Sequence, residues 1–228
     1  MRLGFAVVRY RPLSALRTIR TMSAQPKILA KHDLPSSEAK WIKLKKINWE
    51  DPTGKQRVWE SAERTTTSSG GIDAVAVLAI LRSQSRKFPP STIIIEQFRP
   101  PVGKFVVELP AGLIDEGETP EQAAFRELEE ETGYVAKKVL QSTPLYVSDP
   151  GMSNANMKLV TVDVPFEDEL QIYEQKLDAG EFIVRRVVPI DGLVKELEEY
   201  EKKGFVVDAK LGHFASGYEM AQKLQKDI

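Results

Sequence analysis

Residues 112–134 read GLIDEGETPEQAAFRELEEETGY, and the helix they specify is punctuated at both ends. Thr119 and Gln122 have the spacing of a capping box, Pro120 falls where a first helical residue loses nothing by lacking an N–H, and Gly133 supplies a left-handed stop. The expected helix covers 120–132. Inside it Glu127 and Glu131 are four residues apart and Glu127 and Glu130 three, with Glu129 among them. Like charges at such spacings destabilise an isolated helix by about 0.2–0.5 kcal/mol per pair, and a place near its C-terminus sets them against the helix dipole too. One reading is a solvated acidic face balanced by Arg126 and distant lysines. The other is that oxygen ligands at i and i+4, beside a glycine-rich loop with approachable carbonyls, grip a hard divalent cation, Mg²⁺ or alternatively Mn²⁺.

The rest of the composition narrows the choice. The chain has 228 residues, 42% of them apolar and 29% charged, enough for one large or two modest domains with a core. It has no cysteine and two histidines, so disulfides, thiolate metal sites and cysteine nucleophiles are excluded and a histidine-rich zinc site is disfavoured. Chemistry therefore rests on carboxylates. Residues 1–31 carry seven basic side chains and no acid, leaving 25 basic against 33 acidic residues in 32–228. A body of that sign repels nucleic acid, so no nucleic-acid partner is expected, and no stretch approaches the roughly 18 apolar residues of a membrane span.

Outward from the helix, strands are expected on both sides. WIKLKKINWE (41–50) and QRVWESAERTT (56–66) alternate around Asp-Pro-Thr-Gly and form a hairpin. GIDAVAVLAILR (71–82), STIIIEQFRP (91–100) and KFVVELPAG (104–112) are apolar runs before the helix, and VLQSTPLYV (139–147), MKLVTVDV (157–164) and EFIVRRVVPI (181–190) follow it. Packing helices are expected at 191–203 and 208–224. Between 164 and 182 the chain is acidic, turn-prone and long, as functional loops often are.

At residue level Gly112, Glu118, Arg126, Glu127, Leu128, Glu130, Glu131 and Gly133 match G-x5-E-x7-R-E-U-x-E-E-x-G-U, the Nudix box, in which U is a bulky apolar residue. The chain resembles the Nudix hydrolases. Only Tyr134 departs, standing where an aliphatic residue is usual, and this is expected to affect packing and not metal binding. Pro150, sixteen residues past the box, resembles the ADP-ribose pyrophosphatase branch. The tryptophan-bearing hairpin with EQFRPP and ELPAGLID resembles the eukaryotic ADP-sugar pyrophosphatases, over about residues 39–220. The implied fold is α+β, an α/β/α sandwich with a mixed central sheet, a loop–helix–loop and an N-terminal hairpin. The implied division is a basic segment 1–31, strands 32–68 for dimerisation and adenine binding, and a hydrolase domain 69–228.

The resemblance also implies roles. Glu127 and Glu131 hold Mg²⁺ with the main-chain carbonyl of Ala111, Glu130 completes the cluster, and Arg126 orients the glutamates. Glu181, at the end of the acidic loop, is base or metal contact. Glu108 either organises the metal site or makes a salt bridge. Trp41 and Trp59 stack on adenine from opposite subunits of a homodimer with exchanged N-terminal strands, Glu60 accepts from the adenine amino group, Arg64 and Arg99 bind phosphate, and Leu113 and Asp149 line the ribose end. Taken singly, either tryptophan reads as strand packing and either arginine as a surface ion pair; Trp49 reads as packing. The implied reaction is hydrolysis of ADP-ribose to AMP and ribose 5-phosphate.

Two rival functions stay open on sequence: a scaffold that binds ADP-ribose without turnover, and a hydrolase of another nucleotide such as an oxidised purine nucleotide. A third, a membrane or partner anchor with an acidic contact helix, explains neither the glycine spacing nor the hairpin. The arginine-rich, acid-free segment preceding Met22 has the composition of a mitochondrial transit peptide or of a disordered basic tail. A start at Met22 would give a cytoplasmic form, and a nuclear location stays open.

Overall fold

The computed structural model describes residues 25–226. The transit-peptide expectation concerns the basic segment before Met22, which lies outside the described residues. Fourteen elements follow in order: β1 (Ile42–Glu50), β2 (Gln56–Arg64), β3 (Ala74–Ser83), β4 (Ser91–Arg99), β5 (Lys104–Glu108), β6 (Ala111–Leu113), α1 (Pro120–Thr132), β7 (Lys138–Ser142), β8 (Tyr146–Val147), β9 (Asn156–Phe166), β10 (Val184–Pro189), α2 (Leu193–Lys202), β11 (Val206–Val207) and α3 (Ala209–Lys226).

The continuous apolar run in β3 is explained by a strand covered on both faces. Val75, Val77, Ala79 and Leu81 pack towards Ala123, Ala124 and Leu128 of α1. Leu78, one step out of phase, packs with Leu193, Leu197 and Tyr200 of α2 and Leu211 and Ala215 of α3. β4 splits likewise, Ile93 to the first core and Ile94 to the second. The result is the expected α/β/α sandwich. Its sheet runs β11-β5-β4-β3-β9-β7, with β10 added to β4, β6 to β3 and β8 to β9. β3–β9 and β11–β5 are parallel and the other pairs antiparallel, so the sheet is mixed. Among the described residues no helix is long and apolar enough to cross a membrane.

β1 and β2 form a separate two-stranded sheet in full antiparallel register from Ile42–Arg64 to Glu50–Gln56. A lone hairpin is marginal in water. This one is tied to the body through its second strand: Ala62 N–H donates to Met152 O at 2.9 Å, and Trp59 Nε1–H to Gly151 O at 3.0 Å.

Four details differ from expectation, the first being that the 104–112 run divides around Pro110 into β5 and β6. The 139–147 run divides into β7 and β8, since Pro144 lacks the N–H a continuous strand would use. The 181–190 run becomes a strand only at Val184, leaving Glu181 in the preceding loop. β11, two residues long, carries too short a pattern to be read from sequence. Tyr134 is 1% exposed and meets Phe166 edge-on at 6.0 Å, so its departure from the motif is absorbed in packing as expected.

Candidate active site

α1 begins and ends as its sequence requires. Thr119 and Gln122 cap reciprocally, Pro120 opens the helix, and Gly133 closes it at φ 74° with its N–H on Glu129 O at 2.7 Å. Packing of Ala123, Ala124 and Leu128 against β3 fixes the rotation of the helix, so that Glu127 and Glu131 are turned towards β6.

Gly112 shows why the first motif position is glycine. A Cβ built there would fall on the carboxylate of Glu127. The strand and the helix approach so closely that this carboxylate fills the space of the missing side chain. One residue earlier, Ala111 N–H donates to Glu131 Oε2 at 3.0 Å. Val77 N–H donates to Pro110 O at 2.8 Å, and Ala111 stands opposite Ala76, in the alternate position of the ladder. Both its N–H and its carbonyl therefore point off the β3 edge, on the side of Glu131.

Arg126 organises the remainder. Its guanidinium forks onto Glu118, Nε to Oε1 at 3.0 Å and Nη2 to Oε2 at 2.8 Å, and Nη2 also reaches Leu113 O at 2.9 Å. Nη1 holds Glu127 at 2.7 Å and Glu130 at 3.2 Å. One cation thus ties the loop before α1 to three glutamates, and these bonds raise its own pKa, Glu118 first.

Two carboxyl groups sit where burial disfavours their charge. Glu131 is 4% exposed, and burial pushes its pKa up to about 8 against the opposing Ala111 N–H, with the charges of Glu127 and Glu181 adding to the rise. Glu127 is also raised, chiefly by burial, partly offset by Arg126 and reinforced by Glu130 and Glu181. Such a pair fits a divalent cation: oxygen donors, a cradle that only glycine leaves open, and negative charge whose desolvation a cation would offset. Glu127 and Glu131, with the Ala111 carbonyl beside them, are the residues that would hold it. Among the described residues no three acidic or histidine side chains are gathered around one point.

The other expected residues divide into two groups. Arg99 lies beside the carboxylates in a double ion pair with Glu108, Nε–Oε1 2.6 Å and Nη2–Oε2 3.0 Å, and within the field of Glu131. The salt bridge that was one of the two readings of Glu108 is thus present. Glu181 accepts from Asp178 N–H at 3.0 Å and acts electrostatically on both Glu127 and Glu131. Trp41, Trp59, Glu60 and Arg64 belong to the hairpin and are exposed, Trp41 by 70% and Trp59 by 50%. Trp49 was expected to pack, but it is 42% exposed, because β1 has no partner on that face within the chain. Asp149 opens the turn that carries Gly151, its carbonyl accepting from Met152 and Ser153 N–H. Leu113 is bound through its carbonyl to Arg126.

Sequence reasoning missed Gln175, Lys176 and Arg185, which donate to the last carbonyls of α1: Lys176 N–H to Glu130 O at 2.8 Å, Gln175 Nε2 to Glu131 O at 2.5 Å, and Arg185 Nη1 to Thr132 O. The signal was indirect. α1 has no basic residue in its last turn, and the orphan carbonyls of a buried helix end need donors from elsewhere.

The family model described as the NUDIX domain matches residues 72–208, and the chain belongs to this family of hydrolases. It is 41% identical to an ADP-ribose pyrophosphatase of Saccharomyces cerevisiae over 95% of this chain and 96% of that one. It is 39% identical to an ADP-sugar pyrophosphatase of Mus musculus over 84% and 87% respectively. A solved ADP compounds hydrolase superposes with a TM-score of 0.57 over 83% of this chain and 91% of the other, at 19% identity, a likeness of fold.

Proposed function

We propose that this enzyme hydrolyses the diphosphate of ADP-ribose, and of related ADP-sugars, to AMP and a sugar phosphate in the presence of Mg²⁺. The observation that carries the reading is the Glu127 carboxylate filling the gap at Gly112 beside the buried Glu131, an arrangement suited to a divalent cation. The choice of substrate is supported by the two relatives named above, whose matches cover 95% and 84% of this chain, hairpin included.

Bound at these glutamates, Mg²⁺ would neutralise diphosphate charge and lower the pKa of a water molecule. Arg126 keeps Glu127 and Glu130 in place, and Arg99, braced by Glu108, offers the rest of its guanidinium to a phosphate oxygen. Glu181 takes a proton from the attacking water as its oxygen bonds to phosphorus, and the bridging P–O bond breaks to release AMP and ribose 5-phosphate.

The hairpin supplies the adenine end. Trp41 and Trp59 share a face, but Trp59 lies opposite Ile47, six residues along from Trp41. That is about 20 Å of strand, far more than the thickness of one base, so two tryptophans of one chain cannot sandwich a purine. We therefore propose a homodimer with exchanged hairpins, residues 32–68 serving as its dimerising and adenine-binding unit. Glu60 and Arg64 would face the substrate there, and Leu113 and Asp149 the ribose.

The test is release of AMP from ADP-ribose within a panel of nucleotide sugars and oxidised nucleotides, with and without Mg²⁺, and with Glu131→Gln. Product in the ADP-ribose arm that vanishes with chelator and in the variant is expected. Tight binding of ADP-ribose without product overturns the reading in favour of a sensor, and preference for an oxidised purine nucleotide overturns the substrate.

A further inference from the structure

The loop between β9 and β10 has no regular structure; its first residues are held by Ser83 and Ser85, and its second half is fastened at the C-terminal end of α1. Three consecutive carbonyls there, of Glu130, Glu131 and Thr132, receive donors from residues 175, 176 and 185. Gly133 serves this approach as well as the helix stop, for a Cβ on it would meet the carbonyl oxygen of Glu174. Tyr134 reinforces it, meeting Tyr173 edge-on at 5.5 Å with the Arg185 guanidinium 5.5 Å from its ring centre.

Gln175 is the pivot of this clasp. Its Nε2 donates both to Glu131 O at 2.5 Å and to Ile183 O at 3.2 Å. Both partners are acceptors, so the amide nitrogen and not its oxygen must face them, and its two hydrogens match the two carbonyls. One amide therefore ties the backbone of a buried site glutamate to the residue two positions after Glu181. It also closes the chain between 175 and 183, the segment that carries Glu181.

We propose that Gln175 is a positioning residue for the hydrolytic step: it sets the reach of Glu181 to the carboxylates of α1. The inference rests on the role proposed above for Glu181. A side chain that acts on a proton in transit must be held to within about 1 Å, and misplacement of that size can cost on the order of a hundredfold in rate. Both hydrogen bonds of the Gln175 amide run to the hydrolytic end of the site and neither to the hairpin. Its effect belongs in kcat and not in KM.

The test is a double-mutant cycle on the full-length enzyme with Mg²⁺ and ADP-ribose, reading kcat, KM and the melting temperature of Q175M, E181Q and the double variant. Methionine keeps the length of glutamine and removes both donors. Q175M is expected to lower kcat by about ten- to a hundredfold with KM within about twofold, E181Q by about a hundred- to ten-thousandfold, and Q175M to add less than about twofold on the E181Q background. Q175E, which sets a carboxylate against two carbonyls, should lose at least as much as Q175M. An unchanged kcat in E181Q overturns the role of Glu181 and the inference with it. A large loss in E181Q with the full Q175M factor retained in the double variant, or a Q175M enzyme with native kcat, overturns the inference alone. A fall in melting temperature with kcat unchanged assigns Gln175 to stability and also overturns it.

Discussion

The hairpin 42–64 and the segment 111–134 both hold side chains that an isolated chain has no reason to keep, and they treat them in opposite ways. In the segment, charge is buried and interlocked: Gly112 yields its space to Glu127, Ala111 bonds Glu131, and Arg126 joins the loop to the helix. In the hairpin, apolar surface is left outside, with Trp41, Leu44, Val58 and Trp59 all at least half exposed. The first region is complete within one chain, whereas the second is a surface prepared for something else. Exposed apolar area of this kind marks a binding face. On the function proposed above, the difference separates chemistry from recognition, so substitutions in the two regions should separate kcat from KM.

The largest effect is expected at the point of closest approach. Gly112→Ala drives a methyl group into the Glu127 carboxylate, which must swing away from Arg126 or push β6 off the helix. Overpacking of this kind costs about 1–3 kcal/mol of stability, which a domain with two cores survives. Displacing the carboxylate by about 1 Å should lower turnover on the order of a hundredfold. Steady-state rates of AMP release beside a thermal melt check this, and native turnover in a folded variant would break the tie between the glycine and the glutamate.

Next come the tryptophans. Stacking on a base contributes about 1–3 kcal/mol, so Trp59→Ala should raise KM for ADP-ribose by about 5- to 150-fold with kcat nearly unchanged. Trp49 shares a face with Trp59, one diagonal step away and opposite Arg57, and Trp49→Ala should shift KM far less than Trp59→Ala. Equal shifts in the two variants would mean that the hairpin contributes surface and not a specific ring. Substitutions at Trp59 also remove its bond to Gly151 O, so Trp59→Phe separates the parts by keeping the stack without the donor.

A smaller effect is expected where the regions are joined. Asp73 is 2% exposed and takes Thr67 Oγ1–H at 2.5 Å and Asn156 N–H at 2.9 Å, while its own N–H donates to Asn156 Oδ1 at 3.0 Å. It pins the segment leaving the hairpin to the loop that receives it. Asp73→Ala should cost about 1–3 kcal/mol through the donors left unpaired. Hydrogen exchange should rise at residues 58–62 well before it rises in α1, and uniform protection across both would show the hairpin to be held by other means.

The same contrast decided what was legible in the sequence. The helix could be read to the residue because its signals are local: a capping box, a proline and a glycine lie within fifteen positions. The central strands were legible because burial on both faces leaves long apolar runs. The clasp at the end of α1 was not, since Gln175 and Arg185 are more than forty residues from the carbonyls they serve and carry no spacing. The exposure of Trp49 was hidden for a related reason: alternation in a strand tells which residues share a face, never whether that face is covered within the chain. The pairing of Glu108 with Arg99 was hidden too, since the ladder sets Arg99 opposite Lys104 and Glu108 opposite Ile95, and the two meet only by the reach of their side chains along a shared face.

The smallest effect concerns the hairpin turn, which is fixed by one carboxylate. Asp51 takes Thr53 Oγ1–H at 2.6 Å, Arg57 Nε–H at 2.9 Å, Lys55 N–H at 3.0 Å and Thr53 N–H at 2.9 Å. These bonds, the Thr53 hydroxyl first and Arg57 next, lower its pKa from 3.8 to about 2. The sign follows from the depressed value. The turn is supported in full above the unfolded pKa and loses that support as pH falls from about 3.8 through about 2, below which the carboxylate is protonated in both states. Arg57 and Asp51 lie at the surface, so added salt should weaken their share while leaving the hydroxyl and amide bonds in place. NMR titration of the Asp51 carboxyl should give a midpoint near 2 that rises in Thr53→Ala. A midpoint near 4 in the parent would mean that the turn does not depend on this carboxylate, and that the register of the tryptophan face is set by the strands alone.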